Sequence, residues 1–143
     1  TGELMVSYGR CCNPVHGDDI VGFVTRGRGI VVHTSQCPRL SLLEEERRCE
    51  VQWSDLGKQE ADAAKRRVTV RVICRDEPGK LAEMTSAFSS RGVNIAQAHC
   101  RAKEDGLATN LFDVLVTNVG QLGEALKQVQ KIDGVVSVER VGA

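Results

Sequence analysis

The chain has 143 residues, with 19 Lys and Arg against 19 Asp and Glu. Bulk charge therefore gives no reason to expect nucleic acid or membrane, and any basic patch must be local. Hydrophobic residues make up 41%, charged residues 27% and aromatics only 3%, which excludes disorder and predicts small, aliphatic-rich cores in one ordinary or two small domains.

No stretch approaches the roughly 20 apolar residues of a membrane span, and no signal peptide is visible. A cytoplasmic protein is expected. Thr1-Gly2-Glu3 lacks an initiator methionine, as an excised fragment would. Asp19 to Thr25 and Gly29 to His33 read as two strands, and Arg26-Gly27-Arg28-Gly29 supplies a tight hairpin between them. Too few glycines follow for a phosphate loop. Thr34 or Ser35 can cap a helix running through Leu40, Leu42 and Leu43. Arg48 to Trp53 alternates polar and apolar residues, the pattern of a half-buried strand. Residues 1–53 thus form a small module with a thin core that a staple would help.

Residues 54–66 are polar and lack strand alternation; they read as a linker. From 67 to 143 the pattern is clearer. Val68, Val70, Val72 and Cys74 alternate with polar positions in a strand. Pro78-Gly79 opens a helix with an apolar stripe at Leu81, Met84 and Phe88, and Arg91-Gly92 ends it. Strands follow from Val93 to about Ala102 and from Leu107 to Thr117, joined by a turn at Lys103-Glu104-Asp105-Gly106. A second helix carries Leu122, Leu126, Val129 and Ile132, and Val135 to Val141 is a last strand. The order βαββαβ predicts an α+β, ferredoxin-like unit: a four-stranded antiparallel sheet with two helices on one face. The other face lacks a cover, so a second copy is a natural partner.

There are six cysteines. Cys49, Cys74 and Cys100 lie in apolar, strand-like runs and read as small buried hydrophobes. Cys11, Cys12 and Cys37 belong to a longer pattern. The run from Cys11-Cys12-Asn13-Pro14 through Gly17-Asp18-Asp19-Ile20-Val21-Gly22, Thr25-Arg26-Gly27-Arg28-Gly29 and His33-Thr34-Ser35-Gln36-Cys37 closely resembles a signature of RelA/SpoT homologues. Arg75-Asp76-Glu77-Pro78-Gly79-Lys80-Leu81 and Gly92-Val93-Asn94-Ile95 resemble the ligand-loop pattern of ACT domains. Together the resemblances cover nearly the whole chain. They imply the non-catalytic regulatory region of a (p)ppGpp synthetase/hydrolase, a GTP pyrophosphokinase of the stringent response. The catalytic half would lie elsewhere in the parent chain, and this fragment would be inactive by itself.

The first module is then a zinc-finger-like unit in which Cys11, Cys12, His33 and Cys37 are candidate ligands. Thiolate and imidazole suit tetrahedral Zn²⁺. Adjacent cysteines are awkward joint ligands, because successive side chains in an extended segment point apart, and no pair of Cys-x-x-Cys knuckles is present. Structural zinc, a metal-free module of reduced thiols, and a disulfide all remain open. His16 is expected to be exposed. Arg10, Arg26, Arg28 and Arg39 cluster near this module. By themselves they read better as solvated turn residues than as phosphate contacts; the resemblance implies contact with ribosomal RNA, through backbone or shape since no stacking platform is visible.

In the second unit, Asp76, Glu77, Pro78, Gly79, Lys80 and Leu81 lead into a helix N-terminus that favours a carboxylate. The resemblance implies a small, branched-chain amino acid held between paired copies, with Asn94 as a polar contact and Leu81, Ile95 and Ala96 as an apolar wall. Lys80 stands where many family members carry an apolar residue. The competing reading is a ligand-free docking or dimerisation unit. A thiol enzyme using Cys11 or Cys12 with His33 would need an activated nucleophile, and no oxyanion-hole signature accompanies it.

Overall fold

The computed structural model describes residues 5–27, 29–56 and 65–141. The chain divides between Ala64 and Lys65 into two compact units.

The first unit is a small mixed sheet. Its strands are β1 (Met5–Tyr8), β2 (Ile20–Val24), β3 (Gly29–Thr34) and β4 (Arg48–Cys49), in the order β1-β3-β2-β4. The hairpin β2–β3 pairs Val21 with His33 and Phe23 with Val31. β1 runs parallel to β3, a strand that local patterning did not announce because only four residues, with no clear alternation, form it. Gly29 is required there: a Cβ would lie 2.6 Å from the Met5 carbonyl oxygen. The helix expected through Leu40 to Leu43 is a short 3-10 turn, Pro38–Leu42, with Cys37 at its start and no side-chain cap. Leu42 is 79% exposed, so no apolar face exists to be buried and nothing drives extension into an α-helix. The strand expected over Arg48 to Trp53 shrinks to two residues, after which Trp53–Asp55 turns. Trp53 folds back instead: its ring stacks on Tyr8 at 6.0 Å and its Nε1 donates to the Asp18 carbonyl at 2.9 Å. The expected linker falls mostly on 57–64, outside the described residues.

The second unit has the predicted order: β5 (Arg66–Arg75), α1 (Lys80–Ser90), β6 (Asn94–Ala102), β7 (Leu107–Val116), α2 (Val119–Gln130) and β8 (Val135–Val141). The strands form an antiparallel sheet ordered β6-β7-β5-β8. Val68, Val70, Val72 and Cys74 alternate inward and meet Phe112, Val114 and Val116 of β7. Helix α1 buries Met84 and Phe88, and α2 buries Leu122, Ala125 and Val129. Phe88 and Phe112, both fully buried, meet at a centroid distance of 5.3 Å. Asn118 caps α2 by accepting from the Gln121 N–H at 2.8 Å. The opposite sheet face is mixed: Thr69 Oγ1 donates to Asp113 Oδ1 at 2.7 Å and Arg71 pairs with Glu139, alongside Ile73, Leu115 and the exposed Leu111. Strand β6 is an edge, exposed along nearly its whole length. That is why Cys100, expected to be buried, is exposed, whereas Cys74 is 1% exposed.

Candidate functional site

A four-residue cluster forms in the first unit. The buried Gly9 ends β1 by donating its N–H to the Val32 carbonyl, and its own carbonyl accepts from the Asn13 N–H at 2.9 Å. Asn13 takes a left-handed conformation (φ 44), which a short polar side chain tolerates. Cys11 and Cys12 therefore lie in a tight turn, not an extended segment. The expected divergence of adjacent side chains does not apply, and their Sγ atoms are 4.0 Å apart.

From the other side, the end of β3 supplies His33 and the following turn supplies Cys37, whose N–H donates to the Thr34 carbonyl. Cys11 Sγ lies 3.4 Å from His33 Nδ1 and 3.4 Å from Cys37 Sγ. Cys12 Sγ lies 3.6 Å from His33 Nδ1. All four candidate ligand atoms fall within 4.8 Å of one another. Tetrahedral Zn²⁺ bonds of about 2.3 Å to sulfur and about 2.0 Å to nitrogen separate ligands by roughly 3.5–3.8 Å. The donor set and spacing fit such an ion.

The electrostatics agree with a site completed by a cation. Burial lowers the His33 pKa and keeps the imidazole in its neutral, ligating form. Burial pushes the Cys12 thiol up to about 12, against the partial offset of the Thr34 N–H, which donates to Cys12 Sγ at 3.3 Å. Burial also raises Cys11. A divalent ion bound here would take the place of the proton on these thiols. The metal's contribution would be a cross-link between the β1–β2 turn and the end of β3.

His16 stays outside the cluster but is half-buried, not exposed, with its ring 5.3 Å from that of Trp53. Arg10, Arg26 and Arg39 are exposed. Arg26 has one loose ion pair, with Glu44 at 3.9 Å. Arg28 lies outside the described residues.

The second unit holds a cavity of about 290 Å³ beside the loop from β5 to α1. The Asp76 N–H donates to the Gly106 carbonyl and the Arg75 N–H to the Gly134 carbonyl, which fixes the loop to the turns on either side. Gly79 adopts φ 86 at the start of α1, with open space where a Cβ would stand. Cys74, Met84, Ala108 and Asn110 line the cavity, with Cys100 and Ala102 at its β6 side. Asp76, Glu77, Gly79, Lys80 and Leu81 line it from the loop; Pro78 does not. Lys80 is occupied elsewhere: Nζ donates to the Asp133 carbonyl at 2.6 Å and lies 3.3 Å from Glu83 and 3.7 Å from Glu77.

Asn94, Ile95 and Ala96 do not join this group. Asn94 pairs with Leu115, which pairs through β7 to the Arg67 end of β5, whereas the loop leaves from Arg75. One sheet length thus separates the two sets within a chain. Sequence reasoning missed Asn110, which is 3% exposed and donates to the Val72 carbonyl and toward Cys74 Sγ. The signal was present: Asn110 is the polar member of the inward series Ala108, Phe112, Val114 and Val116.

A family model described as the RelA/SpoT RIS domain matches residues 1–54, and one described as the ACT domain matches residues 63–140. The chain is 46% identical to a GTP pyrophosphokinase of Myxococcus xanthus over 139 residues, 97% of this chain and 18% of that one. It is 33% identical to the GTP pyrophosphokinase of Escherichia coli K12 over 144 residues, 98% of this chain and 19% of that one. The crystal structure of the ACT domain from the GTP pyrophosphokinase of Chlorobium tepidum is 27% identical, with a TM-score of 0.47, over 52% of this chain and 96% of that one. The chain spans less than a fifth of the length of these curated relatives. Through residues 63–140 the chain belongs to the ACT-domain family, and the stretch ahead of that unit is similar to the RelA/SpoT RIS domain.

Proposed function

We propose that this chain is a non-catalytic regulatory region of a (p)ppGpp synthetase/hydrolase, in which the ACT unit reports amino-acid supply to a catalytic half elsewhere in the parent protein. The observation that carries this reading is the cavity against the β5–α1 loop. It has a helix N-terminus at one end, where free backbone N–H groups favour a carboxylate. Leu81, Met84, Cys74 and Ala108 offer a wall for a branched aliphatic side chain. Asp76 and Glu77 stand at the rim, where an ammonium group would sit. Asn94, Ile95 and Ala96 could contribute only from a second copy, so this reading includes a homodimer. Ligand binding would act by shifting the balance between two arrangements of the parent protein.

Calorimetric titration of the chain with valine, leucine and isoleucine tests this. Saturable binding that weakens in Asn94→Ala supports a nutrient sensor assembled between copies. Heats indistinguishable from dilution, with folded protein, would leave the ACT unit as a docking or dimerisation element.

A second reading concerns the first unit. The exposure of Arg10, Arg26 and Arg39 favours phosphate contact with ribosomal RNA, and a Zn²⁺-bound cluster would hold that surface in shape. Co-sedimentation with ribosomes should weaken steeply with salt and weaken further in Arg26→Ala combined with Arg39→Ala. Salt-independent sedimentation would refute phosphate contact.

A further inference from the structure

The three thiols of the cluster are not equivalent. Cys12 is 3% exposed, and its sulfur accepts the Thr34 N–H. Cys37 is 4% exposed. Cys11 is partly open to solvent and sits 3.4 Å from Cys37 Sγ. A disulfide needs these atoms to close by about 1.4 Å, to roughly 2.05 Å. Cys11 and Cys12 are further apart, at 4.0 Å, and adjacent in the chain, where a disulfide strains the intervening peptide. Cys49, Cys74 and Cys100 lie outside the cluster.

We infer that Cys11 and Cys37 form a redox-active dithiol, a site of reversible oxidation by small-molecule disulfides that competes with metal binding. The competition rests on the metal reading above; the dithiol rests on geometry alone. In the first step the Cys11 thiolate attacks one sulfur of the oxidant, forming a mixed disulfide and expelling one thiolate. In the second, the Cys37 thiolate attacks the Cys11 sulfur, forming the Cys11–Cys37 bond and expelling the other. Two electrons pass from the two cysteines to the oxidant, and the two cysteine protons end on its two released thiols. Cys11 is the entry point because it alone of the cluster is accessible. Cys12 keeps its thiol and its bond to Thr34. A cation bridging the cluster would lose two of four ligands and be released.

The test uses glutathione disulfide on the full chain, in metal-free and Zn²⁺-loaded samples. Bound zinc is quantified before oxidation by elemental analysis and afterwards by a colorimetric chelator. Tryptic peptides are then mapped by mass spectrometry. The expected product joins peptide 11–26 to peptide 29–39 with loss of two hydrogens, and fragmentation places the link at Cys11. It should vanish in Cys11→Ser, persist in Cys12→Ser, and reverse on reduction. In the loaded sample zinc should leave in step with the link. Free thiols, glutathione adducts without the internal link, or a link through Cys12 would overturn the dithiol. A link in metal-free chain that never bound zinc would keep the dithiol and refute the competition. A folding failure of Cys12→Ser leaves the wild-type fragmentation map to decide.

Discussion

Gly9 is the residue on which the cluster geometry can be tested most sharply. A Cβ built there would lie 2.6 Å from His33 Nδ1 and 2.7 Å from its Cε1. An ordinary contact needs about 3.4 Å, so Gly9→Ala must displace the imidazole by roughly 0.8 Å. Gly9 itself cannot yield, because both its backbone groups are hydrogen-bonded. Metal–ligand distances tolerate about 0.2 Å, so the shift removes His33 from any tetrahedral site. The overpacking alone should cost about 2 kcal/mol, within the range of about 1–3 kcal/mol for small-to-large core changes. For a unit of this size that is a fall of roughly 8–16 °C in Tm. The single tryptophan, Trp53, makes the assay direct: its fluorescence reports the first unit, and far-UV circular dichroism reports both. Gly9→Ala should lower the fluorescence transition and weaken zinc binding by at least tenfold in a chelator competition. Unchanged fluorescence melting together with unchanged zinc affinity would refute the placement of His33 against Gly9.

The metal-free first unit should be most stable between about pH 6.5 and 9. His33 has a lowered folded pKa, so its contribution is lost as pH falls below its unfolded value of 6.5. Cys12 has a raised one, so its contribution is lost as pH rises above 9.0 toward about 12; a flat Trp53 unfolding midpoint from pH 5 to 10 would contradict both. Lys80→Met should lower the stability of the second unit by about 1 kcal/mol in urea titration, since it removes the donor to the Asp133 carbonyl; an unchanged midpoint would mean that the contact is neutral. Asn110→Ala should cost about 1–3 kcal/mol by leaving the buried Val72 carbonyl without its side-chain partner and opening space beside Cys74, and it should alter any amino-acid binding in the adjacent cavity. A change below about 0.3 kcal/mol would argue that Asn110 is not part of the buried wall.

The second unit was legible in the sequence because its signals are periodic. Alternation in β5, the 3.6-residue stripes of the helices and the glycines at the turns each point to the same arrangement. Leu81 is the exception in its stripe: it is 47% exposed because it borders the cavity and not the core. The first unit was less legible because its order comes from distant contacts. β1 exists through its parallel pairing with β3, and Trp53 is placed by Asp18 and Tyr8, residues far away in sequence. The cluster residues could be named from their types and spacing. Their convergence depends on the left-handed turn at Asn13 and on a glycine whose role is to leave room, and neither is visible as periodicity.

The bare strand β6 has its own consequence. Nine residues long, it presents one unpaired backbone edge, and Ala98, Cys100 and Ala102 add little bulk beside it. Such an edge offers main-chain donors and acceptors to any extended segment, with few side chains to discriminate among them. What limits it is the break in register between Ile95 and Gln97. A strand added from outside can run in step with β6 only from Gln97 to Ala102, so the bulge acts as a ruler that fixes where the guest must stop.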